Sequence, residues 1–576
     1  MSKKRVLLLS FSILLMLVAL LGRLMQIQLF QTEHFSEHKV NLLEESVKQR
    51  TQQVLIDDGR GVFLDTEGKP LSHKEEMVLV LFPFLKGIDW DHKELAHILD
   101  VPPVELTEKI QKAKSPFIYG ELTEKQAASI NELQIPGAIS LKRKWIPHDF
   151  PAAQLIGLTG ENNEQLKKRY PDKHIADLKV GVTGLQRQFD EFLLPETPSK
   201  LIFHVDAIGN PLFGIDVKYT GQNNPYYPLN VKTTINRRLQ EKMESLLDQH
   251  QIERGGAVLL DIQSGTIAAI ASRPSLNVGK PFEDEGTKNM MFESHIPGSV
   301  FKTVVATAAI EESLVSNQDR FNCNLDIRGN LATRELGELD LKESFARSCN
   351  RTFAELANKV EKEDPNLLEK YAEKLGLTGT QSWEGDVFYL EDFKQFTHSP
   401  GRIFLESDHK VDHNFISQTG IGQHEVRVSP IGVANMMATI ARGGKAKSIR
   451  VASEIQYADG GAMFKFPEQY KEDQHISPAS AQRMQQLLRE VVTDPEGTGA
   501  YFQNLPYEVA GKSGTAQTGL ESNGQPLYNK WFAGYFPFQE PKYSLVTVNL
   551  GVTENEGSVS SLYADLVQMV YDIEEE

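Results

Sequence analysis

Three short motifs hold residue types that together can run acyl transfer: Ser299-Val-Phe-Lys302, Ser348-Cys-Asn350 and Lys512-Ser-Gly514. A serine hydroxyl becomes a useful nucleophile only when a base takes its proton. A lysine amine can be that base if its pKa falls from about 10.4 towards neutrality. Burial and a neighbouring cation both lower it. Lys512 is the candidate cation for Lys302, if the fold brings the two together. Each motif is weak alone. S-x-x-K recurs at Ser36–Lys39 and Ser407–Lys410, and S-x-N at Ser129–Asn131 and Ser275–Asn277, whereas K-[ST]-G occurs once. A serine before a helix is an ordinary cap, and a polar turn explains Ser348 and Asn350. The order of the three, each in a suitable local context, is the informative feature.

Those contexts come from the surrounding elements. Pro297-Gly298 precedes an apolar stretch read as a helix over Val300–Glu312, so Ser299 would sit at its N-terminus. Backbone N–H groups there favour negative charge. Ser299 and Lys302 are i and i+3, hence on one face. Further helices are expected over Asn236–His250, Leu341–Asn358, Ile431–Arg442 and Pro478–Val492, from apolar periods of three and four. Strands are expected over Val231–Thr234, Gly256–Asp261, Thr266–Ala271, Phe532–Phe536 and Tyr543–Leu550. Lys512-Ser-Gly-Thr515 reads as a strand whose glycine permits close approach of a ligand backbone. Strands at both ends with helices between them imply an α+β fold.

Upstream, residues 25 to about 55 read as a polar helical stalk. Residues 57–68 carry a β-hairpin signal, Met77–Phe84 reads as a buried strand, and His92–Leu133 as short amphipathic helices. At the N-terminus, Lys3, Lys4 and Arg5 precede the apolar run Val6–Leu21. That run is near the lower limit for crossing a bilayer, about 17–25 residues. The basic flank predicts an uncleaved anchor with its N-terminus inside and the bulk outside, because Val18–Gly22 offers only a poor signal-peptidase site.

Composition narrows the classes. The chain has 576 residues and a net charge of −17, which disfavours nucleic acid as a partner. Cys323 and Cys349 are the only cysteines. With no C-x-x-C pair, a zinc ribbon or disulfide framework is not expected, and packing is the expected role of Cys349. His409 and His413 are spaced i, i+4, but no third ligand follows, so a polar loop is the reading and no metal or cofactor is expected. Lys142-Arg-Lys144 reads as a solvated basic patch, and Glu574–Glu576 as a disordered tail.

The sequence resembles the penicillin-recognising serine acyl-transferases, and within them the class B penicillin-binding proteins, over nearly its whole length. His295-Ile-Pro-Gly-Ser-Val-Phe-Lys302 is similar to that family's P-G-S-x-F-K, Ser348-Cys-Asn350 to its S-C-N, and Gly511-Lys-Ser-Gly-Thr-Ala-Gln517 to its G-K-[ST]-G-T-A-Q. Gly420-Ile-Gly-Gln-His424, Arg60-Gly-Val-Phe-Leu-Asp65 and Gly181-Val-Thr-Gly-Leu185 resemble further family segments. Four places depart from the pattern. His424 stands for a glycine, Gln186 for a glutamate, Thr66-Glu67 for Arg-Asn, and His295-Ile296 for Tyr-Glu.

The resemblance implies an N-terminal transmembrane helix, an elongated membrane-proximal α+β domain, and a penicillin-binding domain whose antiparallel sheet is sandwiched by helices, as in serine β-lactamases. The expected divisions are residues 1–5 cytoplasmic, 6–25 anchor, 26–225 pedestal of the dimerisation type and 226–576 transpeptidase. It implies that Ser299 attacks a D-Ala-D-Ala stem peptide, Lys302 takes the proton, and Ser348 relays it while Lys512 tunes the field. Asn350 would bind the substrate amide. Ser513, Gly514 and Thr515 would line the substrate site, with Ser513 and Thr515 meeting its terminal carboxylate alongside the charge of Lys512, and the N–H groups of Ser299 and Thr515 would form the oxyanion hole. Peptidoglycan stem peptides or a lipid-linked precursor are the implied substrates, β-lactams the implied inhibitors, and a glycosyltransferase or a second copy the implied partners. The rival classes are a D,D-carboxypeptidase or β-lactamase, which pass the acyl group to water, and a non-catalytic scaffold. The long N-terminal region and the lack of an E-x-x-L-N motif favour the transpeptidase.

Overall fold

The computed structural model describes residues 3–30, 41–42, 45–46, 50–161, 168–170, 179–195, 197–206, 212, 217–221, 224 and 226–576. The chain forms two compact units that interleave along the sequence. One holds residues 1–59, 74–145 and 196–223; the other holds 60–73, 146–195 and 224–576.

In the first unit, Lys3–Met25 is a 23-residue helix that continues as a π-helical turn, Gln26–Phe30. At about 1.5 Å per residue it is long enough for the ~30 Å hydrocarbon layer. Its apolar side chains are exposed, as a membrane anchor requires. The stalk expected over residues 25–55 falls partly outside the described residues, and its end is corrected. Thr51–Asp57 is a strand, paired with Ser199–His204. Lys74–Leu81 is the middle of a second antiparallel sheet, between Phe117–Leu122 and Ala138–Trp145. The strand Phe117–Leu122 interrupts the region expected to be helical. Its short run of β-favouring residues gains a partner only through distant pairing. Lys142 and Lys144 are not simply solvated. Lys142 pairs with Glu75, and Lys144 lies 3.5 Å from Asp57.

The second unit is built on five antiparallel strands in the order Thr266–Arg273, Gly255–Asp261, Tyr543–Val552, Gln525–Phe536, Ala510–Ser522. Alternate residues point to opposite faces. Val258, Leu260 and Val546 face the core that holds the helices Lys302–Glu311 and Pro430–Ala441. Ala257, Leu259 and Leu545 face the helices Arg237–Gln249 and Ser560–Glu575. With both faces covered, the strands read as continuous apolar runs. Lys302–Glu311 is buried all round from Lys302 to Ile310, so it is a central rather than an amphipathic helix.

Several expectations change here. The hairpin at residues 57–68 reduces to one antiparallel bridge, Leu64 to Pro70; Phe63–Leu64 instead pairs in parallel with Asn230–Thr233. The expected helix over Leu341–Asn358 is two helices, Leu341–Ala346 and Asn350–Glu363. The tail is the end of the helix Ser560–Glu575, where Tyr507 Oη donates to Glu574 at 2.7 Å. Cys323 and Cys349 form a disulfide with a Cα–Cα distance of 5.9 Å. Two cysteines 26 residues apart carry no sequence signal that distinguishes packing from pairing. His409 lies in the turn Ser407–Lys410, stacks on Phe415 at 3.9 Å and pairs with Glu425 at 2.7 Å. His413 begins the helix His413–Gly420.

Candidate active site

Ser299 lies in a single 3-10 turn, Gly298–Phe301, which feeds into the helix Lys302–Glu311. The turn is tighter than the α-helical start expected from sequence. In 3-10 geometry i and i+3 eclipse, so Ser299 and Lys302 stay on one side. Gly298 has φ +56°, and a Cβ there would stand 2.4 Å from Thr515 O. A Cβ on Gly514 would stand 2.5 Å from Pro297 O. The strand Ala510–Ser522 therefore approaches the Ser299 turn at backbone distance, which only glycine permits on either side. Two further bonds fix the turn. Gly298 N donates to Gly422 O at 2.9 Å, and the buried Trp531 Nε1 donates to Ile296 O at 3.0 Å.

Lys302 is fully buried. Its Nζ lies 2.8 Å from Ser348 O, 3.1 Å from Ser348 Oγ and 2.7 Å from Asn350 Oδ1. Among the described residues, no hydrogen bond joins it to Ser299. Burial, then the charges of Lys512 and Arg334, hold its pKa well below the usual lysine range. A neutral amine has two N–H donors and one lone pair. The two shorter contacts suit the donors, and the Ser348 hydroxyl can turn to donate to the lone pair. Such an amine can take a proton and pass it through Ser348.

Ser348 has φ +61°, a left-handed conformation uncommon for serine. This residue breaks the expected long helix and aims its oxygens at Lys302. Asn350 opens the next helix, and the Cys323–Cys349 disulfide pins the residue between them. Lys512 is also fully buried, and burial, then Arg334, lowers its pKa to about 7. Lys512 is the second cause, after burial, of the lowered Lys302 pKa. Ser513 Oγ donates to Thr498 Oγ1 at 2.8 Å, and Thr498 N donates to Ala346 O at 3.0 Å. Thr498 ties this strand to the helix before Ser348, a link no local pattern announces. Thr515 is exposed on the edge strand of the sheet. Ser348, Asn350 and Thr515 line one cleft of about 900 Å³ together with Arg334, Phe415 and His424.

His295 is buried four residues before Ser299. It is 9% exposed, its Nε2 lies 3.0 Å from Met290 O, and burial lowers its pKa from 6.5 to about 4. The unfolded chain takes up a proton near pH 6.5 that the folded chain refuses until about pH 4. The stability present above pH 6.5 is therefore lost as pH falls towards 4, by roughly 3 kcal/mol. Thermal melts from pH 7 to 4 should show this loss, and His295→Gln should flatten it. An unchanged slope in the variant would assign the acid sensitivity elsewhere.

The profile described as the penicillin binding protein transpeptidase domain matches residues 255–565, more than half of the chain. The chain belongs to this family. The penicillin-binding protein dimerisation domain matches residues 56–224, which makes the chain a class B penicillin-binding protein. Peptidoglycan D,D-transpeptidase FtsI of Escherichia coli K12 is 25% identical, over 93% of this chain and 85% of its own. MrdA of Salmonella typhimurium SL1344, another peptidoglycan D,D-transpeptidase, is 22% identical over 89% and 87%. Stage V sporulation protein D of Bacillus subtilis is 24% identical over 87% and 75%. A solved structure titled "Structural coordination of polymerization and crosslinking by a peptidoglycan synthase complex" superposes with a TM-score of 0.65 at 21% identity, over 99% of this chain and 98% of that one. This last likeness speaks to the fold of the penicillin-binding protein.

Proposed function

We propose that this penicillin-binding protein is a peptidoglycan D,D-transpeptidase that cross-links stem peptides through an acyl-enzyme on Ser299. The observation that carries the reading is the buried Lys302 amine, held between Ser348 and Asn350 with its pKa lowered by burial and a second lysine. Ser299 Oγ bonds to the carbonyl carbon of the penultimate D-alanine, and its proton goes to Lys302. As the C–N bond breaks, the proton passes through Ser348 to the leaving D-alanine amine. Asn350 holds the substrate amide. Ser513, Thr515 and the charge of Lys512 face the terminal carboxylate beside Gly514, and the N–H groups of Ser299 and Thr515 receive the oxyanion. An amine of a second stem then attacks the acyl carbon, its proton passes through Ser348 and Lys302 to Ser299 Oγ as the ester breaks, and the cross-link forms. A β-lactam enters as a mimic of the D-Ala-D-Ala amide.

In this reading residues 26–225 serve as the membrane-proximal pedestal and 226–576 as the transpeptidase region. The Lys3–Met25 helix anchors the chain with residues 1–5 inside and the bulk outside, where stem peptides are. The solved neighbour comes from a peptidoglycan synthase complex that coordinates polymerization and crosslinking, which supports a glycan-polymerising partner for this chain too. The test is incubation with a D-Ala-D-Ala stem peptide and an acceptor amine. A cross-linked product with release of one D-alanine is expected; D-alanine release without any cross-link would instead mean a carboxypeptidase.

A further inference from the structure

Residues 321–339 form a loop that carries Arg334 beside the cleft. Its ends pair, Phe321 with Leu339 and Asn322 with Glu338. Within it, Cys323 N donates to Gly337 O and Ala332 N to Asn324 O, both at 2.8 Å, and Gly337 N donates to Asn324 Oδ1 at 2.8 Å. The disulfide ties Cys323 to the residue between Ser348 and Asn350. The position of Arg334 is therefore set relative to the site.

The cleft is lined by Arg328, Arg334 and Arg427 against a single acid, Asp326. Arg427 is engaged: its Nη1 donates to His424 O at 2.8 Å and to Val426 O at 3.1 Å. Asp326 is engaged too, accepting from Arg328 N at 2.9 Å and Asn330 N at 2.8 Å. The Arg334 guanidinium has neither a hydrogen bond nor an ion pair among the described residues. On a chain of net charge −17, three arginines against one acid in the cleft make a locally positive patch, which favours anions.

We propose that Arg334 binds a carboxylate of the acyl-donor peptide other than its C-terminal one, an anion subsite that selects acidic stem peptides. The proposal rests on the transpeptidase reading. The planar fork of arginine matches a carboxylate with two parallel hydrogen bonds. Arg334 also stands near enough to Lys302 and Lys512 for its charge to bear on both. Arg334 lines the same cleft as Ser348, Asn350 and Thr515, the residues assigned to the donor, and on that ground the carboxylate is assigned to the donor rather than the acceptor.

The test uses the full-length protein in detergent with two synthetic donors ending in D-Ala-D-Ala. The donors differ only in one upstream side chain, a carboxylate in one and its carboxamide in the other. Wild type is expected to favour the acid donor in kcat/KM about tenfold, the lower end for a charge-assisted hydrogen bond. Arg334→Gln should bring that ratio close to one, and Arg334→Lys should keep part of it. Any effect of Arg334 on the lysines is common to both donors and cancels in the ratio. A ratio unchanged in Arg334→Gln overturns the proposal. A third arm moves the carboxylate to the acceptor amine, and a preference that follows it there overturns the assignment to the donor. Failure of wild type to be acylated by a β-lactam would count against the transpeptidase reading itself, a separate outcome.

Discussion

Replacing Lys302 by alanine is expected to slow acylation by a β-lactam by roughly 10²–10⁴-fold, the range a positioned general base contributes. The amine is buried with Ser348 and Asn350 as its neighbours, and the helix that carries it is covered on all sides. A purely structural lysine would be replaced passably by another long cation. A proton acceptor would not. Arginine keeps its proton in proteins, so Lys302→Arg is expected to be as slow as Lys302→Ala if basicity is what matters. Rapid-quench measurement of adduct formation distinguishes the two. Recovery of the rate in Lys302→Arg would make Lys302 a spacer rather than the base.

The second large effect is on stability. Asp190 is fully buried and serves two cations. Arg60 Nη2 lies 2.6 Å from its Oδ1, and Arg169 Nη1 lies 3.1 Å from its Oδ2. Tyr170 Oη and Gly181 N also donate to it, at 3.0 and 2.7 Å. Removing the carboxylate takes from Arg60, itself 1% exposed, an ion-pair partner at 2.6 Å. Asp190→Ala should cost about 3–5 kcal/mol, as breaking one side of a buried pair does. Urea unfolding of the ectodomain measures it. A loss under 1 kcal/mol would mean that water or a rearranged side chain takes over the role. The same cluster explains one departure from the family pattern. Gln186 stands where a glutamate is usual, and Arg60 Nε still donates to Gln186 Oε1 at 2.8 Å. Asp190 supplies the negative charge that a glutamate at position 186 would otherwise share.

The sequence made legible what depends on local period. The helix Arg237–Gln249 follows from the stripe Leu239, Met243, Leu247 and an Asn236 cap whose side chain accepts from Leu239 N at 3.2 Å. The long strands follow from apolar runs and their turns. The meeting of Lys302 with Ser348 and Asn350 was foreshadowed as well, because ordered motifs carry information that isolated ones do not. What was hidden depends on contacts between distant residues. The short strands Lys445–Lys447 and Tyr470–His475 are defined by pairing across a connection that contains another hairpin. Composition on both sides of Ser348 predicts helix through it, while the left-handed turn there (φ +61°) depends on contacts with distant residues. The disulfide, the Thr498 link and the reach of Arg334 arise only when separate segments meet.

The most direct test of the central claim is the intact mass of the ectodomain after exposure to a β-lactam, for wild type and Ser299→Ala. Wild type should gain the mass of one β-lactam and hold it for many minutes, and Ser299→Ala should gain none while melting at the same temperature. An adduct of equal yield on Ser299→Ala would contradict the account, because some other residue would then be the nucleophile.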